Sequence, residues 1–245
     1  MKFRRGLKNK DGIMFGYSGV LEFLVAAIAI ILAIMLHELA HGYVALWNGD
    51  PTAKYNGRLS LNPIAHFDIF GLMMLLIARI GYARPVPINP NNFRNRKLGL
   101  VLVSVAGILF NLLLAFLFVP LFFLCNNGAM TAISQNNEIL ANLFYYLREF
   151  CLWFVIINVN LALFNILPIY PLDGYNIVEG VTRATNKYNK FMRNYGQYLL
   201  LILVGMSIIV DVMGMPYYMD ILGMYINTVR SWIIDAFSMF WSFVI

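Results

Sequence analysis

Residues 98–124 run for 27 positions without a charged side chain, and residues 150–170 for 21. About 20 apolar residues carry a helix across a bilayer. Residues 23–36 contain no polar side chain, and with 14–22 before them they are also long enough to span. Residues 195–210 are uncharged, and that stretch extends past Asp211 to Met219. The final stretch, 221–245, is interrupted by Arg230 and Asp235. The pattern predicts four spanning helices and a less certain fifth. The expected class is an all-α polytopic membrane protein with four to six transmembrane helices.

The breaks refine this picture. The first helix is expected over 14–47, ended by the turn chemistry of Asn-Gly-Asp-Pro at 48–51. The second covers 98–124, and the third runs from about 139 to 169, broken by 168–174. Between the first two lies an irregular region, 52–97. It holds GRLSLNP at 57–63, a short apolar run at 69–80 and the Pro-rich YARPVPINPNNFRN at 82–95. The apolar run is short for a full crossing and fits a re-entrant or interfacial piece. The Pro-rich stretch is extended or looped. Irregular backbone at membrane depth survives only where it lines a cavity or is buried in protein, so this region is expected to border a cleft. No linker or repeat divides the chain. A single membrane domain spans 1–245, with its motifs within about 14–174 and C-terminal helices over 195–245.

Composition agrees with a membrane assignment. The chain is 60% hydrophobic and 12% charged, against about 45–50% and 25% for a soluble domain. The net charge of +6 is assigned to loops facing cytoplasm and anionic lipid. No basic-aromatic array points to nucleic acid. Segment 125–138 has no Lys or Arg and is expected to be an external loop. The loops bearing Lys54 to Lys97 and Arg183 to Arg193 are expected to be cytoplasmic. The N-terminal basic cluster then lies outside, against the rule, unless 69–80 crosses. MKFRRGLKNK resembles the start of a signal peptide, but with no A-x-A-like cleavage site it is read as the lead into a retained helix. Cys125 and Cys151 are far apart in sequence and are assigned to packing.

Candidate chemistry centres on His37-Glu38-Leu39-Ala40-His41. Residues i and i+4 share a helix face, so both imidazoles can reach one Zn²⁺, and the intervening glutamate stands beside the metal to take a proton from water. His, Glu and His in an apolar helix are costly unless paired or ligated. A hydrolytic zinc takes three protein ligands and keeps one position open. Asp173, in NILPIYPLDG at 165–174, is the leading third ligand, although Pro-Leu-Asp-Gly is also ordinary turn chemistry. His66, Asp68, Glu22, Glu149 and Glu179 are rivals. Glu22 is four turns away on its own helix, and snorkelling explains Arg148 and Glu149. Asn111 and Asn165 can contact the substrate or the oxyanion, or serve as interhelical glue, the role assigned to Asn158 and Asn160. His66 is read as an interfacial structural residue or an orienter of a ligand.

An ordered series of motifs resembles the site-2 protease family of intramembrane zinc metalloproteases, in its compact form without a PDZ domain. The series runs from HELAHG at 37–42 through GRLSLNPIAHFD at 57–68, GYARPVPINPNNFRN at 81–95 and SVAGILFN at 104–111 to NILPIYPLDG. It covers over half the chain. The resemblance implies one Zn²⁺ per chain held by His37, His41 and Asp173, with Glu38 as catalytic base. It also implies a transmembrane or membrane-anchored peptide substrate and a prokaryotic cytoplasmic membrane. One departure is Ile108, which stands where the family usually has Pro after Gly107. The alternative reading is a metal-binding membrane protein without proteolysis, either a transporter or a silent scaffold.

Overall fold

The computed structural model describes residues 19–66, 84–183 and 185–244. Among them the regular elements are helical: α1 (Val20–Trp47), α2 (Thr52–Tyr55), α3 (Pro63–His66), α4 (Arg96–Ser134), α5 (Glu138–Asn165), α6 (Asp173–Val181), α7 (Lys187–Val212) and α8 (Ile221–Ser242). Two single 3₁₀ turns lie at Pro90–Asn92 and Tyr217–Met219. Four helices, α1, α4, α5 and α7, are long and apolar enough to cross a membrane. The protein is thus an all-α polytopic membrane protein. The short run at 69–80 lies outside the described residues.

The core is a three-helix stack of α1, α4 and α5. Ala26, Ala29 and Ala33 on α1 are fully buried and let that helix approach Trp153, Phe154 and Ile157 of α5. Lipid tails are as apolar as the helices, so close contact between small residues, rather than expulsion of water, holds such a stack together. On the other side of α5, Ala115, Val119 and Phe122 of α4 meet Cys151, Leu152, Val155 and Val159. Ile234 of α8 completes that cluster, so the interrupted C-terminal stretch forms a helix packed on the core. Cys125 joins the same cluster, so the two cysteines, distant in sequence, lie in one packed region.

Pro120 sits inside α4 and cannot donate the backbone hydrogen bond that the carbonyl of Phe116 would otherwise receive. Trp241 of α8 supplies the missing donor, with Nε1 at 2.9 Å from that carbonyl. A freed backbone group inside a membrane is tolerated when a neighbouring helix satisfies it. The Phe116 ring also packs on Phe237, Phe240 and Trp241.

Three expected boundaries are corrected. α4 runs on to Ser134, so residues 125–134 are helix rather than loop. Asn126, Asn127 and Gly128 are poor helix formers, but tertiary packing overrides propensity here: a Cβ on Gly128 would lie 2.7–2.8 Å from the ring of Phe144 on α5. The third spanning helix ends at Asn165, before the break. α7 ends at Val212, where Gly214 takes φ +61°.

Candidate metal centre

The two histidines project from the C-terminal half of α1, one turn apart. Their Nε2 atoms lie 3.0 Å from each other. Asp173, the first residue of α6, brings Oδ2 to 3.4 Å from Nε2 of His37 and 3.2 Å from Nε2 of His41. The chain reaches that point because α5 stops at Asn165 and 166–172 turn back towards α1. Gly174 is required there, since a Cβ would collide with the carbonyl oxygens of Ile166 and Leu167. Among the described residues, these three form the one cluster of metal-ligating side chains whose ligand atoms all lie within 4.8 Å of one another.

Hydrogen bonding fixes what these atoms can do. Nδ1 of His41 faces the carbonyl oxygen of Val103 at 2.7 Å, which only a protonated Nδ1 can satisfy, so in the neutral ring Nε2 of His41 carries a lone pair. Nδ1 of His37 lies 3.1 Å from the side-chain amide nitrogen of Asn111. An amide's oxygen and nitrogen exchange places on a half-turn. With the oxygen facing the ring, Nδ1–H donates and Nε2 again carries the lone pair. Asp173 Oδ2 receives no hydrogen bond although two ring nitrogens stand close by. In that arrangement, with both rings neutral, three acceptor atoms converge in a buried place. A cation removes that repulsion. Tetrahedral zinc with bonds of about 2.0–2.1 Å sets its ligands about 3.3–3.4 Å apart, and the observed edges are 3.0, 3.2 and 3.4 Å. The residues present fit the metal.

α4 makes room for this centre. A Cβ on Gly107 would sit 2.5 Å from Cε1 of His41 and 2.6 Å from Cε1 of His37. The glycine therefore matters through close approach, and Ile108, the departure from the family pattern, is simply a buried core residue. Glu38 is half-buried, and its Oε2 accepts a hydrogen bond from the backbone N–H of Val86 at 2.8 Å. The Pro-rich segment after residue 83 is therefore held against the end of the histidine helix.

The remaining candidates sit elsewhere. Asn165 donates to the carbonyl of Leu161 at 3.0 Å and is half-buried. His66 is fully buried, with Nε2 at 2.7 Å from the carbonyl of Ser60, and braces the 57–66 loop. Glu22 accepts from the hydroxyl of Tyr145, and Glu179 pairs with Arg193. Glu149 pairs with Arg148 at 2.9 Å and is buried, so snorkelling to water does not describe it. Asp68 lies outside the described residues.

Gly107 was read only as part of a motif, and Asp50 only as part of a turn. Asp50 is fully buried and accepts from the backbone N–H of Thr52 (3.1 Å) and Asn89 (2.7 Å), the amide of Asn92 (2.8 Å) and the hydroxyl of Thr52. It ties the end of α1 to the same Pro-rich segment that Glu38 touches. Burial acts to raise its pKa, but these donors outweigh burial and hold the carboxyl below the usual carboxylate range. No sequence signal separates such an aspartate from an ordinary turn residue.

The model of Peptidase family M50 matches residues 25–209. A protein of Bacillus subtilis (strain 168) named "Putative zinc metalloprotease YwhC" is 43% identical over 194 residues, covering 79% of this chain and 84% of that protein. No solved structure matches the chain. With a polytopic helical fold and a His–His–Asp cluster shaped for zinc, the chain belongs to peptidase family M50, the site-2 protease family of zinc metalloproteases.

Proposed function

We propose that the protein hydrolyses peptide bonds of membrane-anchored substrates within or at the edge of the bilayer, at a single zinc held by His37, His41 and Asp173. The observation that carries this reading is the convergence of three lone-pair atoms beside Glu38, at the end of a membrane helix. A zinc held by these three residues would supply Lewis acidity towards the peptide carbonyl and the attacking water. Glu38 accepts the proton of the attacking water on its carboxylate and passes it to the leaving amine nitrogen. Val103 and Asn111 keep the two imidazoles turned with Nε2 towards the centre. Asn111 is thereby assigned to His37, rather than directly to substrate or oxyanion. A substrate helix hides its own carbonyls, so the scissile segment must unwind before it is cut. The irregular segments at 57–62 and 84–89 border the path by which it would enter. The bacterial relative supports a bacterial cytoplasmic membrane as the setting of this reaction.

The test is cleavage of a model transmembrane substrate in detergent by wild type and Glu38→Gln, with bound zinc quantified in both. Cleavage by wild type alone, zinc being retained in both, is the expected result. Zinc in both and cleavage in neither would instead favour a metal-binding membrane protein without proteolysis.

A further inference from the structure

The Pro-rich segment that Glu38 touches through Val86 also lines a cavity of about 400 Å³, with Asn56, Gly57, Arg58, Ile64, Arg84, Pro85 and Pro87 in its walls. Its two charged walls are both arginines. Arg58 is 8% exposed, yet no carboxylate pairs with it among the described residues. One terminal nitrogen donates to the carbonyls of Arg84 and Pro85, and its Nε has no partner. Arg84 is exposed, and no side-chain partner is found for it among the described residues.

A buried guanidinium is costly unless an anion compensates it. Here the nearest compensation is carbonyl dipoles and the more distant Glu38. Burial and the Arg84 charge both disfavour the protonated form of Arg58, and Glu38 only partly opposes them. Two like charges in the walls of one cavity favour an anion there, and guanidinium groups suit a planar carboxylate.

The position of the cavity narrows the anion. Arg58 touches the carbonyl of Pro85, and the next residue, Val86, donates to Glu38. The cavity is therefore about one residue's rise, roughly 3.3 Å along an extended chain, from the residue that touches the general base. A peptide lying along residues 84–88 would present a side chain there within a few positions of the bond to be cut. Resting on the protease reading, we propose that Arg58 and Arg84 form a specificity subsite for an acidic side chain of the substrate, flanking the scissile bond.

The experiment uses the full chain in neutral detergent and matched peptide substrates with Glu or Gln at each position flanking the cleavage site. Cleavage is measured with wild type, Arg84→Ala and Arg84→Glu. Binding of the fluorescently labelled peptides is measured separately with each of these variants. Arg84 is chosen because it is exposed, whereas replacing Arg58 also removes the ties to residues 84 and 85. At one position wild type should prefer Glu over Gln by about tenfold in kcat/KM and in affinity, the worth of one charge-assisted contact. Arg84→Ala should reduce that preference, and Arg84→Glu should reverse it in favour of the Gln peptide. Raised salt should erode it, because Arg84 is exposed.

Equal handling of Glu and Gln peptides at every position by wild type would overturn the subsite. So would a preference that Arg84→Glu leaves intact. Competition by phosphatidylglycerol vesicles, but not by acidic peptides, would assign the arginines to a lipid phosphate and likewise overturn it. The binding arm separates the two readings. Charge-selective binding without any cleavage would retain the subsite and sink the protease, whereas cleavage blind to charge would do the reverse.

Discussion

Two ends of the α1–α4–α5 stack bury ionisable groups among apolar helices, and they do so differently. At one end, Glu22 of α1 accepts from Tyr145 of α5 at 2.5 Å, Glu149 pairs with Arg148 at 2.9 Å, and Arg148 stacks over the Tyr145 ring at 4.8 Å. Each acceptor there has a donor. At the other end, Nε2 of His37, Nε2 of His41 and Oδ2 of Asp173 converge to within 3.0–3.4 Å of one another, and with neutral rings none of the three has a proton to share. Both ends hold carboxylates that the sequence offers as metal ligands. What separates a structural cluster from a metal centre is the donor count. Satisfied groups hold themselves, whereas convergent lone pairs require a cation.

The largest expected effect follows directly. Asp173→Ala removes one of the three proposed ligands and should abolish stoichiometric zinc on the purified protein, measured by atomic emission. Glu149→Gln at the other end should leave zinc at wild-type occupancy. Equal zinc in both variants would break the comparison.

Gly107→Ala comes next. Its Cβ would stand 2.5–2.6 Å from the histidine carbons, so the imidazoles must shift. Zinc affinity should fall by at least tenfold while the helical circular dichroism is unchanged.

Asn111→Ala should weaken zinc about 10–100-fold, the usual loss when the partner that orients a ligating histidine is removed. It should also change the absorption of the cobalt-substituted protein. Glu22→Gln, which alters only the distant cluster, should change neither.

The smallest effect sharpens the comparison from within the metal end. Asp50 lies near that end but is saturated with donors, like the carboxylates of the distant cluster. Its folded pKa is depressed, so the stability it contributes is fully present above the unfolded value of about 3.9 and is lost as pH falls through the folded one. Below about pH 4, wild type should lose thermal stability more steeply than Asp50→Asn, as read from melting curves in detergent.

Much of this was legible in the chain. Spanning length and a shared helix face are local properties, so the apolar runs and the His37–His41 pair announced themselves. Helix ends were less legible. Whether residues 125–134 continue α4 depends on a Phe144 ring packed over Gly128, a contact from another helix. Likewise, nothing near Pro120 says that Trp241 will satisfy the carbonyl it orphans.

The sequence by itself determined a membrane protein and two histidines on one face of α1 with a glutamate between them, because periodicity and hydrophobic length need no partner. Which acid joins the pair, which glycine lets α4 approach and which buried charges stay unanswered were decided only by the tertiary structure. Those are distances between elements far apart in the chain, set by how α4, α5 and the loop before α6 pack around the end of α1.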